Sequence, residues 1–138
     1  MINRSIGFTG TQEGMTALQK QGVLNILSTL RGAQYEYFHH GDCIGADEEA
    51  HKIAQGLGYK IIIHPPLNQS KRAFCEGADT ILRPKEYLDR NEDIVCSSNV
   101  LIATPKEMEE VLRSGTWSTV RRGKKYGRIV HLLKPFDK

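Results

Sequence analysis

Strand-type and helix-type patterns alternate along this chain, and that alternation is the feature that most limits its possible folds. Five short apolar runs bounded by glycine, proline or polar residues predict β-strands: 5–9, 35–40, 59–64, 100–103 and 129–133. Four intervening segments with apolar residues three or four apart predict helices: 14–30, 45–57, 86–97 and 117–126. The alternation predicts a three-layer α/β domain, with a mainly parallel five-stranded sheet between helices and right-handed crossovers.

Segment 67–84 is the least regular part of the chain. It contains Lys71, Arg72 and Arg83 but no apolar periodicity, so we interpret it as a long loop with at most a helical turn. Long loops inside compact domains are often functional. Whether this loop covers a site as a lid is left open by the sequence.

Length and composition favour one cytoplasmic domain spanning 1–138. The 138 residues suffice for a substantial core, and no apolar run approaches the roughly 20 residues of a membrane span. The first ten residues lack the apolar region of a signal peptide. Three cysteines without metal-type spacing (Cys43, Cys75 and Cys96) fit a reducing compartment. The net charge of +3 does not by itself imply a nucleic-acid partner.

Glycine, hydroxyl and carboxylate groups gather at the predicted strand ends. The chain has Thr9-Gly10-Thr11 after the first strand, Gly41-Asp42 after the second, His64-Pro65 after the third and Thr104-Pro105 after the fourth. In open α/β sheets, ligands bind beyond the carboxyl ends of the strands, where the strand order switches. We therefore expect a ligand site at this edge.

Ser114-Gly115-Thr116 stands where a loop enters the last predicted helix. A helix N-terminus leaves N–H groups unpaired and carries partial positive charge, so it suits an anion. Glycine permits close approach of the ligand, and the two hydroxyls can donate hydrogen bonds. We predict a phosphate-binding turn; the alternative is an ordinary N-cap.

Three charged residues near the strand ends have two interpretations each. Asp42 could accept hydrogen bonds from ribose hydroxyls or serve as a plain turn residue. Asp47 lies in the first turn of a predicted helix, so its complementing of the helix dipole is the simpler interpretation. Arg90, followed by Asn91, could clamp a phosphate bidentately or form a surface salt bridge.

The histidines and the basic block could suggest a metal site and a nucleic-acid surface, but structural roles explain both. His39 and His40 are adjacent on a predicted strand and point to opposite faces, so they cannot share one metal ion; we predict no metal site. Between Val111 and Lys134 there are seven Lys and Arg residues and no acidic residue. Cations late in a helix favourably meet its dipole, and a nucleic-acid patch is the alternative.

At these residues the sequence resembles the SLOG superfamily of Rossmann-like proteins, which includes DprA, the LOG phosphoribohydrolases and small YspA-like proteins. The resemblance spans nearly the whole chain and rests on four stretches: Gly7-Phe8-Thr9-Gly10, His40 to Asp47 (HGDCIGAD), Arg90-Asn91 and Ser114 to Arg121 (SGTWSTVR). It implies a nucleotide or nucleotide-derived ligand at the carboxyl edge, with Gly115-Thr116 holding phosphate, and a homodimer. No cofactor is implied.

The resemblance to the LOG enzymes is incomplete at their catalytic glutamate and at the first glycine of their turn. LOG enzymes carry a catalytic glutamate whose place is taken here by Thr119, and Ser114 replaces the first glycine of the family's turn. A threonine cannot act as a carboxylate base. The function expected is therefore binding of a nucleotide-like ligand, as sensor, carrier or sequestering protein. The alternatives are N-glycosidic hydrolysis by Asp42 with Arg90, and DprA-like DNA binding.

Overall fold

A computed structural model describes residues 4–137, which form six strands, four α-helices and a short 3-10 turn. The strands are β1 (Ser5–Gly10), β2 (Tyr37–His40), β3 (Lys60–Ile63), β4 (Thr80–Ile81), β5 (Val100–Thr104) and β6 (Ile129–Leu132). The helices are α1 (Ala17–Gly32), α2 (Ala46–Gly56), α3 (Tyr87–Cys96) and α4 (Gly115–Lys125), and the 3-10 turn is Gln69–Lys71. None of the helices in this part of the chain is long and apolar enough to span a membrane.

All six strands are parallel and follow the order β4-β3-β2-β1-β5-β6. The chain moves outward from β1 to β4 and then returns to the other side of β1 with β5. The strand order therefore switches between β1 and β5, where Gly10 pairs with Thr104. This topology confirms the α/β prediction and puts the carboxyl ends of β1 and β5 at the switch point.

The prediction of five strands is wrong by one, because β4 lies inside the segment interpreted as a loop. Both β4 residues are exposed, and they pair only with Ile62 and Ile63 of β3. A two-residue edge strand has no buried face and so leaves no periodic apolar signal. The helical turn expected in this segment is present at Gln69–Lys71.

The two faces of the sheet are covered by different helix pairs. Ile6 and Phe8 belong to the larger apolar core, together with Val23 of α1 and Ala50 of α2. Gly7 points to the opposite face, where a Cβ would meet Ile94 of α3. A smaller cluster of Ala103, Trp117 and Val120 packs α4 on the same side as α3, with which α4 is in contact.

Gly45 brings α2 against the end of β1. Its φ of +88° lies in the left-handed region, and a Cβ there would collide with the Gln12 carbonyl. The Ala46 N–H, one residue later, donates to the Thr11 carbonyl at 2.9 Å. The glycine therefore allows the start of α2 to close one side of the switch point.

Candidate functional site

A cavity of about 720 Å³ opens at the carboxyl edge of the sheet, at the switch point. Its walls come from the end of β1 with the turn that follows it, the turn after β2 with the start of α2, the first half of α3, and the start of α4. The loop after β5 and Lys71 also contribute. Of the residues predicted for the site, the cavity is lined by Thr9, Gly10, Thr11, Gly41, Arg90, Asn91, Ser114, Gly115 and Thr116. The fold thus brings together residues more than 100 positions apart in the sequence.

The start of α4 presents unused hydrogen-bond donors to this cavity. Ser114 is the N-cap, and its hydroxyl accepts from the Trp117 N–H at 3.2 Å. The N–H groups of Gly115 and Thr116 lie in the first turn of α4, where an N–H has no carbonyl partner within the helix. No group within residues 4–137 accepts a hydrogen bond from them. A Cβ on Gly115 would meet nothing within 4 Å, so packing does not require a glycine there. These free donors are the arrangement that a helix N-terminus offers to an anion or to water.

Arg90 supplies a buried guanidinium to the same cavity. Its Nη1 donates to the carbonyls of Gly41 at 2.7 Å and His64 at 3.2 Å, and its Nε donates to Asn91 Oδ1 at 2.7 Å. Nη2 makes only a long contact, 3.8 Å, with Cys43 Sγ. No carboxylate within residues 4–137 forms an ion pair with Arg90. Protein acceptors occupy three of the five donors of Arg90, so its Nη2 donors remain for a ligand.

Asp47 lies in the wall of the cavity, whereas the sequence favoured a role at the helix dipole alone. Its carboxylate accepts from the Cys43 N–H at 3.1 Å, and only 5% of the residue is exposed. Burial raises the pKa of Asp47 to about 6, against the opposing effect of the nearby Arg90 charge. A desolvated carboxyl group beside a ligand cavity is a candidate recognition group.

Asp42, proposed from the sequence as a ligand or catalytic residue, does not line the cavity. Its Oδ2 accepts from Arg72 Nε at 2.7 Å and its Oδ1 accepts from the Cys75 N–H at 2.9 Å. Burial alone would raise the pKa of Asp42, but these two hydrogen bonds lower it overall. Both oxygens therefore hold segment 67–84 on the sheet, and the second strand contributes Gly41, not Asp42, to the cavity.

The hydroxyl groups of Thr104, Thr9 and Thr11 have different surroundings. Thr104 is fully buried, and its hydroxyl has no hydrogen-bond partner within the described chain. It lies against Gly10, where a Cβ would collide with this hydroxyl, and it does not line the cavity. The Thr11 hydroxyl accepts from the Glu13 N–H at 3.1 Å, while the Thr9 hydroxyl at the cavity makes no hydrogen bond within residues 4–137.

Thr119, at the position of the LOG glutamate, faces away from the cavity. It is fully buried, and its hydroxyl donates to the Gly115 carbonyl at 2.9 Å. It does not line the cavity. A carboxylate at 119 would have to be buried under the first turn of α4, so the position cannot serve hydrolysis in this geometry.

Two buried histidine pairs flank β2 on opposite faces. His39 Nδ1 lies 2.8 Å from His64 Nε2, and His40 Nε2 lies 2.9 Å from His51 Nδ1. Burial lowers the pKa of His39, His40 and His64 well below 6.5, so these rings are neutral near pH 7. The arrangement follows from the alternation of side chains along a strand.

His40, His51 and Cys75 are close enough together to suggest a metal site, but the hydrogen bonds argue against one. Their ligand atoms lie within 4.8 Å of one another. The Asp42 N–H donates to His40 Nδ1 at 2.9 Å, so the proton of neutral His40 must be on Nε2. That nitrogen donates to His51, whose other nitrogen lies 2.7 Å from the Glu76 carbonyl and donates to it. His40 Nε2 therefore has no lone pair to offer a metal.

Three of the seven residues of the basic block form hydrogen bonds or ion pairs with neighbouring residues, while Lys124 and Lys125 are exposed. Arg121 pairs with Glu110 at 2.6 Å, Arg122 lies 3.6 Å from Glu92, and Arg128 donates to the Val95 carbonyl at 3.1 Å. These contacts hold α4 and the following turn against α3 and the preceding loop. They favour the structural interpretation of the block over a nucleic-acid surface.

Sequence reasoning missed several cavity residues because their signals are weak. Ile44, Tyr87 and Leu88 give the cavity apolar walls, while Lys106 and Glu107 come from the loop after β5. Isolated apolar residues in loops or first helical turns have no periodicity that would mark them. The HGDCIGAD stretch did mark the turn after β2, but it could not distinguish Asp47, which lines the cavity, from Asp42, which does not.

Comparisons with known proteins identify the fold. No protein-family model matches the sequence, and no curated protein matches it significantly. Among solved structures, the molybdenum cofactor binding protein from the phototrophic bacterium Rippkaea orientalis is similar at 24% identity, with a TM-score of 0.74. The similarity covers 100% of this chain and 79% of that protein.

Two further structures agree with this result. The Moco carrier protein from Chlamydomonas reinhardtii has 23% identity and a TM-score of 0.69, with 96% of this chain and 76% of that chain covered. The structural-genomics target TM1055 has 12% identity and a TM-score of 0.64, with 92% of this chain and 72% of that chain covered. At these identities the similarity establishes the fold alone.

Proposed function

We propose that this protein binds a small, phosphate-bearing, nucleotide-like molecule in the switch-point cavity and carries or sequesters it without converting it. The observation that carries the proposal is the convergence of unpaired donors on one cavity. The free N–H groups of Gly115 and Thr116 and the Arg90 guanidinium, which has no carboxylate partner, all face it. Arg90 and Thr116 are buried, and buried donors without partners cost free energy. Gly115 is exposed, and an anionic ligand would supply acceptors to all three residues.

The molybdenum cofactor is the first ligand to test. It is a pterin derivative with a terminal phosphate, so its chemistry meets the requirement for a phosphate next to a planar ring. Two of the solved structures described above are of proteins that bind or carry it. A cavity of about 720 Å³ falls within the usual range for small-molecule sites and accommodates a molecule of this size.

Binding without turnover is favoured by the carboxylates. Asp42 is engaged with Arg72 outside the cavity, and the LOG glutamate position is the buried Thr119. Neither Asp42 nor position 119 therefore supplies a free carboxylate to the ligand. Asp47 does line the cavity, and its carboxylate accepts from the Cys43 N–H. The resemblance also implies a homodimer, which light scattering would detect as twice the chain mass of 15.5 kDa.

The experiment is a thermal-shift and calorimetric screen of wild-type protein against molybdenum cofactor, nucleoside monophosphates and ADP-ribose. A ligand of the native state raises the melting temperature by mass action. Gly115→Asp places a carboxylate at the phosphate position and should abolish the shift. Gly115→Ala enters open space, so it should leave the fold intact and serve as the control.

Two results would contradict the proposal. One is that folded wild-type protein shows no thermal shift and no heat of binding with any phosphate-bearing compound. The other is a ligand that binds equally well to the wild type and to Gly115→Asp. Release of free base from a bound nucleotide would instead show an enzyme.

A further inference from the structure

Asp47 and Arg90 are two buried, oppositely charged residues that line the same cavity without forming an ion pair. Each is 5% exposed, and no Asp47–Arg90 contact within 4.0 Å is present among the ion pairs of residues 4–137. Burying separated charges costs more than burying a contact pair, because neither charge fully compensates the other. If the two residues served the fold alone, a direct salt bridge would be the cheaper arrangement.

Both charges are fixed by the same turn of the chain, 41–43. The Cys43 N–H donates to the Asp47 carboxylate, while the Gly41 carbonyl accepts from Arg90 Nη1. A Cβ at Gly41 would collide with the Arg90 guanidinium, so the glycine permits this approach. Cys43 lies between the two charges, in contact with the carboxylate through its N–H and with Arg90 Nη2 through its sulfur.

The hydrogen-bonding groups of Asp47 and Arg90 that the protein does not use are complementary to one kind of ligand edge. Asp47 offers carboxylate lone pairs, and Arg90 offers its Nη2 donors, which have only the weak sulfur contact. A lactam edge carries a ring N–H beside a carbonyl oxygen, so it donates to a carboxylate and accepts from a guanidinium at once. An amino group next to the ring N–H, as in guanine or pterin, adds a second donor for Asp47.

The surroundings suit a planar ring. Ile44, Tyr87 and Leu88 give apolar surface to the cavity beside Arg90, and the Tyr87 ring centroid is 5.2 Å from the Arg90 guanidinium carbon. A flat heterocycle can therefore contact apolar and aromatic surface while its edge meets the two charges.

We propose that Asp47 and Arg90 read the lactam edge of a purine or pteridine ring, so that the ligand is a 2-amino-4-oxopyrimidine-type heterocycle such as a guanine or pterin derivative. This inference rests on the proposed function and names the ring that accompanies the phosphate. Adenine-type edges present the opposite pattern of donor and acceptor, and the buried charges reject them because each would be left unpaired.

The test uses wild-type protein and two ligand series in calorimetric titrations. The first is GMP, IMP, 1-methyl-GMP and AMP, which share ribose and phosphate and differ at the ring edge. The second is pterin and 2,4-diaminopteridine, which differ at the carbonyl. We expect GMP to bind about tenfold or more tighter than 1-methyl-GMP and AMP, and pterin to bind tighter than the diamino compound.

The variants separate edge reading from folding. Asp47→Asn replaces one acceptor with a donor and should remove the preference, while Glu48→Gln, the adjacent residue outside the cavity, should retain it. Thermal melts establish that each variant is folded. Because the turn 41–43 depends on Asp47, the wild-type ligand series alone decides the inference if Asp47→Asn does not fold.

The outcomes distinguish this inference from the proposed function. Equal binding of GMP and AMP, or of both pteridines, overturns the edge assignment and leaves the phosphate site standing. Binding of other phosphate compounds with no member of either series also overturns it. If no phosphate compound binds at all, the proposed function fails and the inference fails with it.

Discussion

At the scale of single residues, the acidic side chains of Asp42 and Asp47 have different roles because they point in different directions. Asp42 faces away from the cavity, toward Arg72 and the Cys75 N–H, whereas Asp47 lines the cavity. Both lie in the same short motif, so residue type and spacing could not assign these roles. Asp42 has a φ of +59°, and this left-handed conformation redirects the chain after β2.

The first prediction concerns the buried Asp42–Arg72 ion pair. Asp42→Asn removes the charge but leaves Arg72, whose side chain is only 12% exposed, without its partner. We expect the free energy of unfolding to fall by about 3–5 kcal/mol, as for other broken buried pairs. Urea denaturation measures the change. Glu36→Gln, which breaks the exposed pair with Lys60, is the matched control and should cost about 1 kcal/mol or less. Equal effects of the two substitutions would contradict this assignment.

At the scale of elements, the helices and five strands were predictable because each has its own periodic pattern or cap. Thr16 and Gln19 form a capping box at the start of α1, and Ser114 caps α4. β4 was not predictable, because a two-residue strand is held only by its pairing with β3. Predicting the cavity would also have required the order of the strands. That order is a property of the tertiary structure, and it determines which helix starts meet at the switch point.

The second prediction concerns segment 67–84, which the buried Asp42 attaches to the sheet. Arg72→Ala removes the 2.7 Å ion pair and the stacking of the guanidinium over Phe74 at 4.5 Å. We expect local opening of the segment and faster trypsin cleavage after Lys71 under native conditions. Lys52→Ala, an exposed cation on α2, should leave the cleavage rate unchanged. If Arg72→Ala is cleaved no faster than the wild type, the segment is held by other contacts.

At the scale of the whole molecule, the buried histidines make stability depend on pH. Burial lowers the pKa of His39 to about 4 and lowers those of His40 and His64 further. As the pH falls below 6.5, the unfolded chain takes up these protons while the folded chain does not, so the free energy of unfolding falls. Asp47 acts in the opposite direction between pH 6 and 3.8, since burial raises its pKa to about 6, but it is one group against three.

The third prediction follows from this balance. Between pH 7 and pH 5 we expect a loss of at least about 2 kcal/mol of stability, because each pH unit below 6.5 costs about 1.4 kcal/mol per histidine. Urea denaturation at both pH values measures the loss. His64→Gln should reduce the slope. A stability that is constant or rises on acidification would show that the histidine pairs are not the dominant titrating groups.

The central claim is that a phosphate-bearing ligand binds at the start of α4, and amide NMR tests it most directly. A ligand identified by the screen is titrated into ¹⁵N-labelled protein, and the shift of each backbone amide is recorded. We expect the largest changes at the N–H groups of Gly115 and Thr116, which are free in the structure, with further changes along the turn after β2. Changes confined to another surface, with Gly115 and Thr116 unmoved by a tightly bound ligand, would contradict it.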